Sequence, residues 1–146
     1  MIKNSTGLRN AMLGTTGAKA ALTGAVLNIY AGTEPTTADA ALGGATLLVS
    51  ISKGGDGSAL GFENPANGIL AKLASEVWVG TVLANGTPTF YRLQMPVDTG
   101  TASTTAVRIQ GSVGNAGDLK LGATVLASGN PQSIDYYQLE LPASLG

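Results

Sequence analysis

A chain of 146 residues with formal charge −1 and only 12% charged side chains has the length of one domain with its own core. Its Lys and Arg lie scattered singly, from Lys3 to Lys120, so no basic stripe exists to neutralise phosphates and nucleic acid is excluded as a main partner. The absence of Cys and His removes disulfides, thiol nucleophiles, the commonest general base and the commonest transition-metal ligand, so no enzyme, cofactor or metal site is expected.

Ser5 or Thr6 caps a short predicted helix in which Leu8, Ala11 and Met12 share a face and Gly14 is the stop. A second turn follows from Ala18 to Leu22, ending at Gly24. Residues 1–24 are read as a short N-terminal helical arm and residues 25–146 as a single β-domain. The arm either closes one end of the core or reaches onto a neighbouring subunit.

The first predicted strand is Val26-Leu27-Asn28-Ile29-Tyr30-Ala31, with Leu27, Ile29 and Ala31 on one face. A polar loop over residues 33–41 leads to a strand over residues 45–52, with Leu47, Val49 and Ile51 inward. A short edge strand is expected over Leu60 to Phe62. Residues 69–75 fit a helical stripe and a strand about equally, and their β surroundings favour the strand.

The centrepiece is the pair of β-rich runs flanking Asn85-Gly86, the dipeptide best suited to the two positive φ angles of a type I′ turn. A two-residue loop there sets Val82 opposite Thr89, Gly80 opposite Tyr91 and Trp78 opposite Leu93. Trp78, Val82, Tyr91, Leu93 and Met95 then form the core face. Val77, Val79, Thr81, Phe90, Arg92 and Gln94 form a mixed, half-wet face.

A long loop over residues 96–105 follows. The next strand spans residues 106–114, with Val107, Ile109 and Val113 inward and Arg108, Gln110 and Ser112 outward. Short pieces are expected at Leu119-Lys120-Leu121 and Val125-Leu126. One last strand runs over residues 133–141, with Tyr137, Leu139 and Leu141 on one side. Roughly seven to nine short strands at such spacing read as all-β, a β-sandwich or jelly roll with a helical arm.

Few motifs carry chemistry. Gly54-Gly55-Asp56-Gly57-Ser58 lacks the 6–8 oxygens of a calcium site and reads as a turn. Gly14-Thr15-Thr16-Gly17-Ala18-Lys19 follows a helix and lacks the spacing of a phosphate loop. The acids Glu34, Asp39, Glu63, Glu76, Asp98, Asp135 and Glu140 read as solvated surface groups rather than a glycosidase pair. An aromatic sugar platform of Trp78, Phe90 and Tyr91 competes with core packing, which their apolar neighbours favour for Trp78 and Tyr91. Tyr136 lies opposite Tyr137 and is a candidate for exposure. No apolar run approaches the ~20 residues of a membrane span, so no membrane partner is expected.

Several stretches carry a family resemblance. They are Ser5-Thr6-Gly7-Leu8-Arg9-Asn10-Ala11-Met12-Leu13-Gly14, Ile29-Tyr30-Ala31-Gly32-Thr33-Glu34-Pro35, Ala38-Asp39-Ala40-Ala41 and Leu70-Ala71-Lys72. Glu76-Val77-Trp78-Val79-Gly80-Thr81, Phe90-Tyr91-Arg92-Leu93 and Asp98-Thr99-Gly100 complete the set. Together they resemble a family of small structural proteins of tailed bacteriophages and prophages, encoded among the virion morphogenesis genes.

The resemblance implies a virion protein assembled in the host bacterial cytoplasm. Its first expected role is capsid decoration (cement), with the major capsid protein, other virion proteins or further copies of itself as partners. A head–tail connector, tail or fibre-attachment piece is the alternative, and a receptor- or glycan-binding module a further one. Residues 1–22, 33–41 and 96–105 are the expected contact surfaces, and no catalytic, cofactor-binding or metal-binding residue is assigned.

Overall fold

The computed structural model describes residues 1–144 and is mostly β, 33% strand and 8% helix. Strand β1 (Lys3–Asn4) precedes helix α1 (Thr6–Leu13) and helix α2 (Ala18–Ala21). Strands β2 (Val26–Ala31), β3 (Thr46–Lys53), β4 (Ile69–Ala71), β5 (Trp78–Thr81) and β6 (Phe90–Gln94) follow, then β7 (Arg108–Ser112), β8 (Pro131–Ile134) and β9 (Gln138–Glu140). Seven strands form one antiparallel sheet in the order β1-β7-β6-β2-β3-β5-β8, and β4 and β9 pair separately.

Local chemistry accounts for the first elements. Ser5 caps α1, its Oγ accepting from the Leu8 N–H at 3.1 Å, and Gly14 closes the helix. The helical segment packs onto the sheet: Leu8 and Leu22 are fully buried in the core, and Ser5 and Arg108 bond backbone to backbone.

Across the sheet, Ile109, Leu93, Leu27 and Ile51 are successive cross-strand neighbours, and all four are buried. Strand β3 departs from the expected alternation. Its register against β2 skips one residue, Ile29 pairing with Val49 and Tyr30 with Leu47. That bulge turns Leu48 into the core beside Val49 and Ile51, while Leu47 lies opposite Tyr30 and is only partly buried.

The hairpin expected around Asn85-Gly86 does not form. Strand β5 lies between β3 and β8, and β6 between β2 and β7, so the chain from β5 to β6 crosses over β3 and β2. Gly80 shows why β5 suits its place. A Cβ there would stand 2.2 Å from the Ser50 carbonyl oxygen, so only glycine lets the two backbones approach this closely. Gly86 instead exchanges backbone bonds with Leu126, and Asn85 Oδ1 accepts from the Ser128 N–H at 2.8 Å.

The type I′-like turn occurs at the other Asn-Gly pair. Asn67 and Gly68 have φ of 53° and 78°, and Ala66 and Ile69 exchange backbone hydrogen bonds around them.

Two further expectations are corrected at the C-terminal end. The single strand over residues 133–141 is two strands, β8 in the large sheet and β9 against β4, with Asp135, Tyr136 and Tyr137 at the corner. Tyr137 and Leu139 are buried as expected, but Leu141 is 47% exposed. The ambiguous segment after Gly68 is strand β4 over its first three residues.

Candidate functional site

The sheet face opposite the core was expected to be half wet, and it is not. Arg92, Gln94, Arg108 and Gln110 are at most 2% exposed, and Phe90 is fully buried with its ring stacked on Tyr30 at 5.1 Å. What covers them are loop segments 33–41 and 96–105, which local sequence reads simply as polar loops.

Loop backbone without a strand partner must find hydrogen bonds elsewhere, and this sheet face supplies them. Arg108 Nη1 donates to the Ala38 carbonyl at 3.1 Å, and Nη2 to the Thr101 carbonyl at 2.7 Å. Arg92 Nη2 donates to the Ala40 carbonyl at 2.7 Å, while its Nε donates to Gln110 Oε1 at 2.8 Å. Gln110 Nε2 donates in turn to the Pro35 carbonyl at 2.7 Å, and Gln94 Nε2 to the Asp98 carbonyl at 3.0 Å. At the edge, Lys3 pairs with Glu34 at 2.7 Å.

At the centre is a forked pair. Arg108 donates from Nε to Asp98 Oδ2 at 2.6 Å and from Nη2 to Asp98 Oδ1 at 2.7 Å. Their side chains are 1% and 9% exposed, so both charges are nearly withdrawn from water. Burial alone pushes the Asp98 pKa up. The Arg108 hydrogen bonds, the Gly100 N–H and the charges of Arg108 and Arg92 outweigh it and hold the carboxyl below its ordinary value of 3.8. Burial, reinforced by the Arg108 charge, lowers the Arg92 guanidinium to about 10.

The three segments expected to make contacts converge here. Asp39 accepts from the Thr6 N–H at 2.8 Å and the Thr6 hydroxyl at 2.6 Å, tying loop 33–41 to the start of α1. The Ser103 N–H donates to the Asp39 carbonyl at 2.9 Å and the Leu42 N–H to the Gly100 carbonyl at 2.9 Å, tying the two loops together. The outer surface of this platform is almost free of charge. Thr33, Thr36, Thr37, Thr99, Thr101, Thr104 and Thr105 are exposed, and Val97 is 88% exposed.

Asp135 and Glu140 are exposed, as the solvated reading has it, while other acids depart from it. Besides Asp98, Glu76 is 9% exposed at its side chain, accepting from the Gly61 N–H and from Trp78 Nε1. Glu63 accepts from the Ala74 N–H. Among the described residues no three Asp or Glu gather as a metal-binding group, and the 54–58 segment is a turn with positive φ at three glycines. Trp78 and Tyr91 are fully buried, as core packing predicts; Phe90 is too, so no aromatic platform stands there. No helix among the described residues is long and apolar enough to cross a membrane.

Asp98, Asp39 and Asp118 all titrate below the ordinary carboxylate value. A depressed folded pKa contributes stability that is full above the unfolded pKa and is lost as pH falls through the folded one. Urea unfolding midpoints are therefore expected to hold steady near neutrality and to drop steeply below about pH 4. Asp98→Asn is expected to lower the neutral plateau and flatten that acid limb. An unchanged acid limb in this variant would remove Asp98 from the account.

No family model, curated protein or solved structure matches this chain.

Proposed function

We propose that this chain is a structural protein of a tailed-phage virion, and first of all a capsid decoration protein seated on the outer head surface. The observation that carries the reading is the clamped platform. Residues 33–41 and 96–105 are fixed to the sheet by buried Arg92, Arg108 and Gln110, and they present threonines and Val97 rather than charge.

A rigid surface loses little entropy when it docks, and small polar and aliphatic groups are cheap to dehydrate. Repeated over many copies on a shell, modest contacts of this kind add up through multivalency. The exposed Leu13, Val77, Leu83 and Val125 add apolar area available to capsid neighbours or to further copies of the chain. Leu8 and Leu22 of the helical segment, Leu70 of β4 and Leu139 of β9 share one buried cluster with the large sheet, which supports reading the domain as sandwich-like.

The test is the copy number of the chain in purified virions, by quantitative mass spectrometry. Decoration predicts hundreds of copies per particle, whereas about six or twelve would replace it with a connector or tail role. Removing residues 1–22 would strip Leu8 and Leu22 from the core, so surface substitutions probe attachment better. Val97→Glu with Thr37→Arg is expected to abolish binding to undecorated capsids while leaving the unfolding midpoint unchanged. Undiminished capsid binding by that variant would place the contact elsewhere.

A further inference from the structure

The corner between β8 and β9 holds a feature that the clamped platform does not use. Tyr137 is 4% exposed, its hydroxyl 3.3 Å from that of Tyr91 and its ring 5.9 Å from Trp78. With Tyr137 anchored inward, the residue before it is turned out, and Tyr136 is 67% exposed. Its hydroxyl donates to Gln138 Oε1 on β9.

Beside the Tyr136 ring opens a cleft of about 250 Å³, with Asp118, Lys120, Gln138 and Glu140 around it and Ile2 at one wall. Leu119, 1% exposed and bridged to Val113, holds the neighbouring Asp118 and Lys120 in place. Among the described residues, Lys120 Nζ, the Glu140 carboxylate, Gln138 Nε2 and Asp118 Oδ1 have no hydrogen-bond or ion-pair partner within the protein. The other Asp118 oxygen is held by the Ser112 N–H and hydroxyl and by the Met1 ammonium, which donates to it at 2.8 Å.

We propose that this cleft is a carbohydrate subsite for a neutral hexopyranose ring. A pyranose has one face of C–H groups, which suits the face of an exposed phenol ring, and a rim of hydroxyls that both donate and accept. Asp118 and Glu140 supply acceptors for that rim, Lys120 and the Gln138 amide supply donors, and the set matches a polyol better than a purely apolar ligand. Two carboxylates, Asp118 and Glu140, stand against two ammonium groups, Lys120 and the Met1 N-terminus, so the cleft carries no net charge and suits a neutral ligand. The cleft is smaller than the usual drug-sized pocket, which limits the occupant to one ring and its affinity to the millimolar range. Copies displayed on one particle would turn such weak sites into useful adhesion.

Sequence reasoning alone offers Phe90 and Tyr136 as rings for glycan contact, and burial removes Phe90. Tyr136 is the aromatic ring that remains accessible beside polar groups. The subsite is separate from the platform loops, and it stands or falls independently of where the chain sits in the virion.

The experiment is a titration of the folded chain with methyl α- and β-glycosides of glucose, galactose and mannose, followed by amide chemical shifts and saturation-transfer NMR. At least one glycoside is expected to saturate at tens of millimolar, with shifts confined to residues 118–120 and 136–140. Tyr136→Ala is expected to weaken binding by roughly tenfold or more, and its exposure makes the change compatible with an intact fold. Val97→Ser, on the platform, is expected to bind as the unmodified chain does. Absence of saturable shifts with all the glycosides, shifts elsewhere on the chain, or equal binding by a folded Tyr136→Ala variant would each overturn the assignment.

Discussion

Arg108→Ala is expected to lower the unfolding free energy by about 3–5 kcal/mol, the cost of leaving a buried partner charge uncompensated. The substitution strands the Asp98 carboxylate at 9% exposure and leaves the Ala38 and Thr101 carbonyls without their side-chain donor. Domains of ordinary stability hold about 5–15 kcal/mol, so a large fraction of the margin disappears. The measurement is urea unfolding at neutral pH, paired with limited proteolysis across residues 96–105. Cleavage in that loop should accelerate even in the folded population, because the guanidinium holds it down. Arg108→Lys should recover only part of the loss, since an ammonium cannot reproduce the fork. Pairing Arg108→Met with Asp98→Leu should relieve the buried charge yet leave the loop carbonyls unpaired, so rescue is expected to be incomplete. A full rescue would show that the ion pair, and not the tethering of the loops, carries the effect.

Trp78→Ala is expected to cost about 3–5 kcal/mol through the cavity it opens. The ring is fully buried, meets Phe62 edge-on at 5.5 Å and lies 5.9 Å from Tyr137. Lys72 Nζ sits 5.7 Å from its centre, and its Nε1 donates to Glu76 at 3.1 Å. Trp78 thus joins β5 to the segment before β4 and to the β8–β9 corner. Calorimetric or urea unfolding would register the change as one cooperative loss. Trp78→Phe should keep most of the packing and lose the Glu76 bond, at a cost well below that of alanine. Equal losses for both substitutions would shift the weight from packing to the Glu76 contact.

Local chemistry was the readable part of this sequence. The cap at Ser5, the stop at Gly14 and the bounds of β2 follow from neighbouring residues, and they stand where expected. Asn-Gly marks a tight turn at Asn67-Gly68 and not at Asn85-Gly86, where the hairpin was expected. Which of them makes the tight turn depends on distant partners: the flanks of Asn85-Gly86 are taken by β3 and β2, whereas Ala66 and Ile69 find each other across Asn67-Gly68.

The same limit governs the site. Period-two alternation placed Arg92, Arg108 and Gln110 correctly on the face away from the core. It gave no sign that residues 33–41 and 96–105 would fold back over them. Two strands that each carry an Arg and a Gln opposite an apolar face, Arg92 with Gln94 and Arg108 with Gln110, near long loops with few charges of their own, are the signal in the sequence. Loop carbonyls need donors, and those side chains are the donors within reach.

The crossover from β5 to β6 has a consequence for how the chain acquires its structure. Among the described residues, only β2 with β3 and β6 with β7 are hydrogen-bonded neighbours that are also consecutive in sequence; β1 waits for β7, β5 for β8 and β4 for β9. A topology dominated by such distant pairings belongs to the slow end of folding, on the order of milliseconds to seconds. During synthesis one edge of β5 stays unpaired until residues 131–134 have emerged, exposing a template for mispairing with other strands.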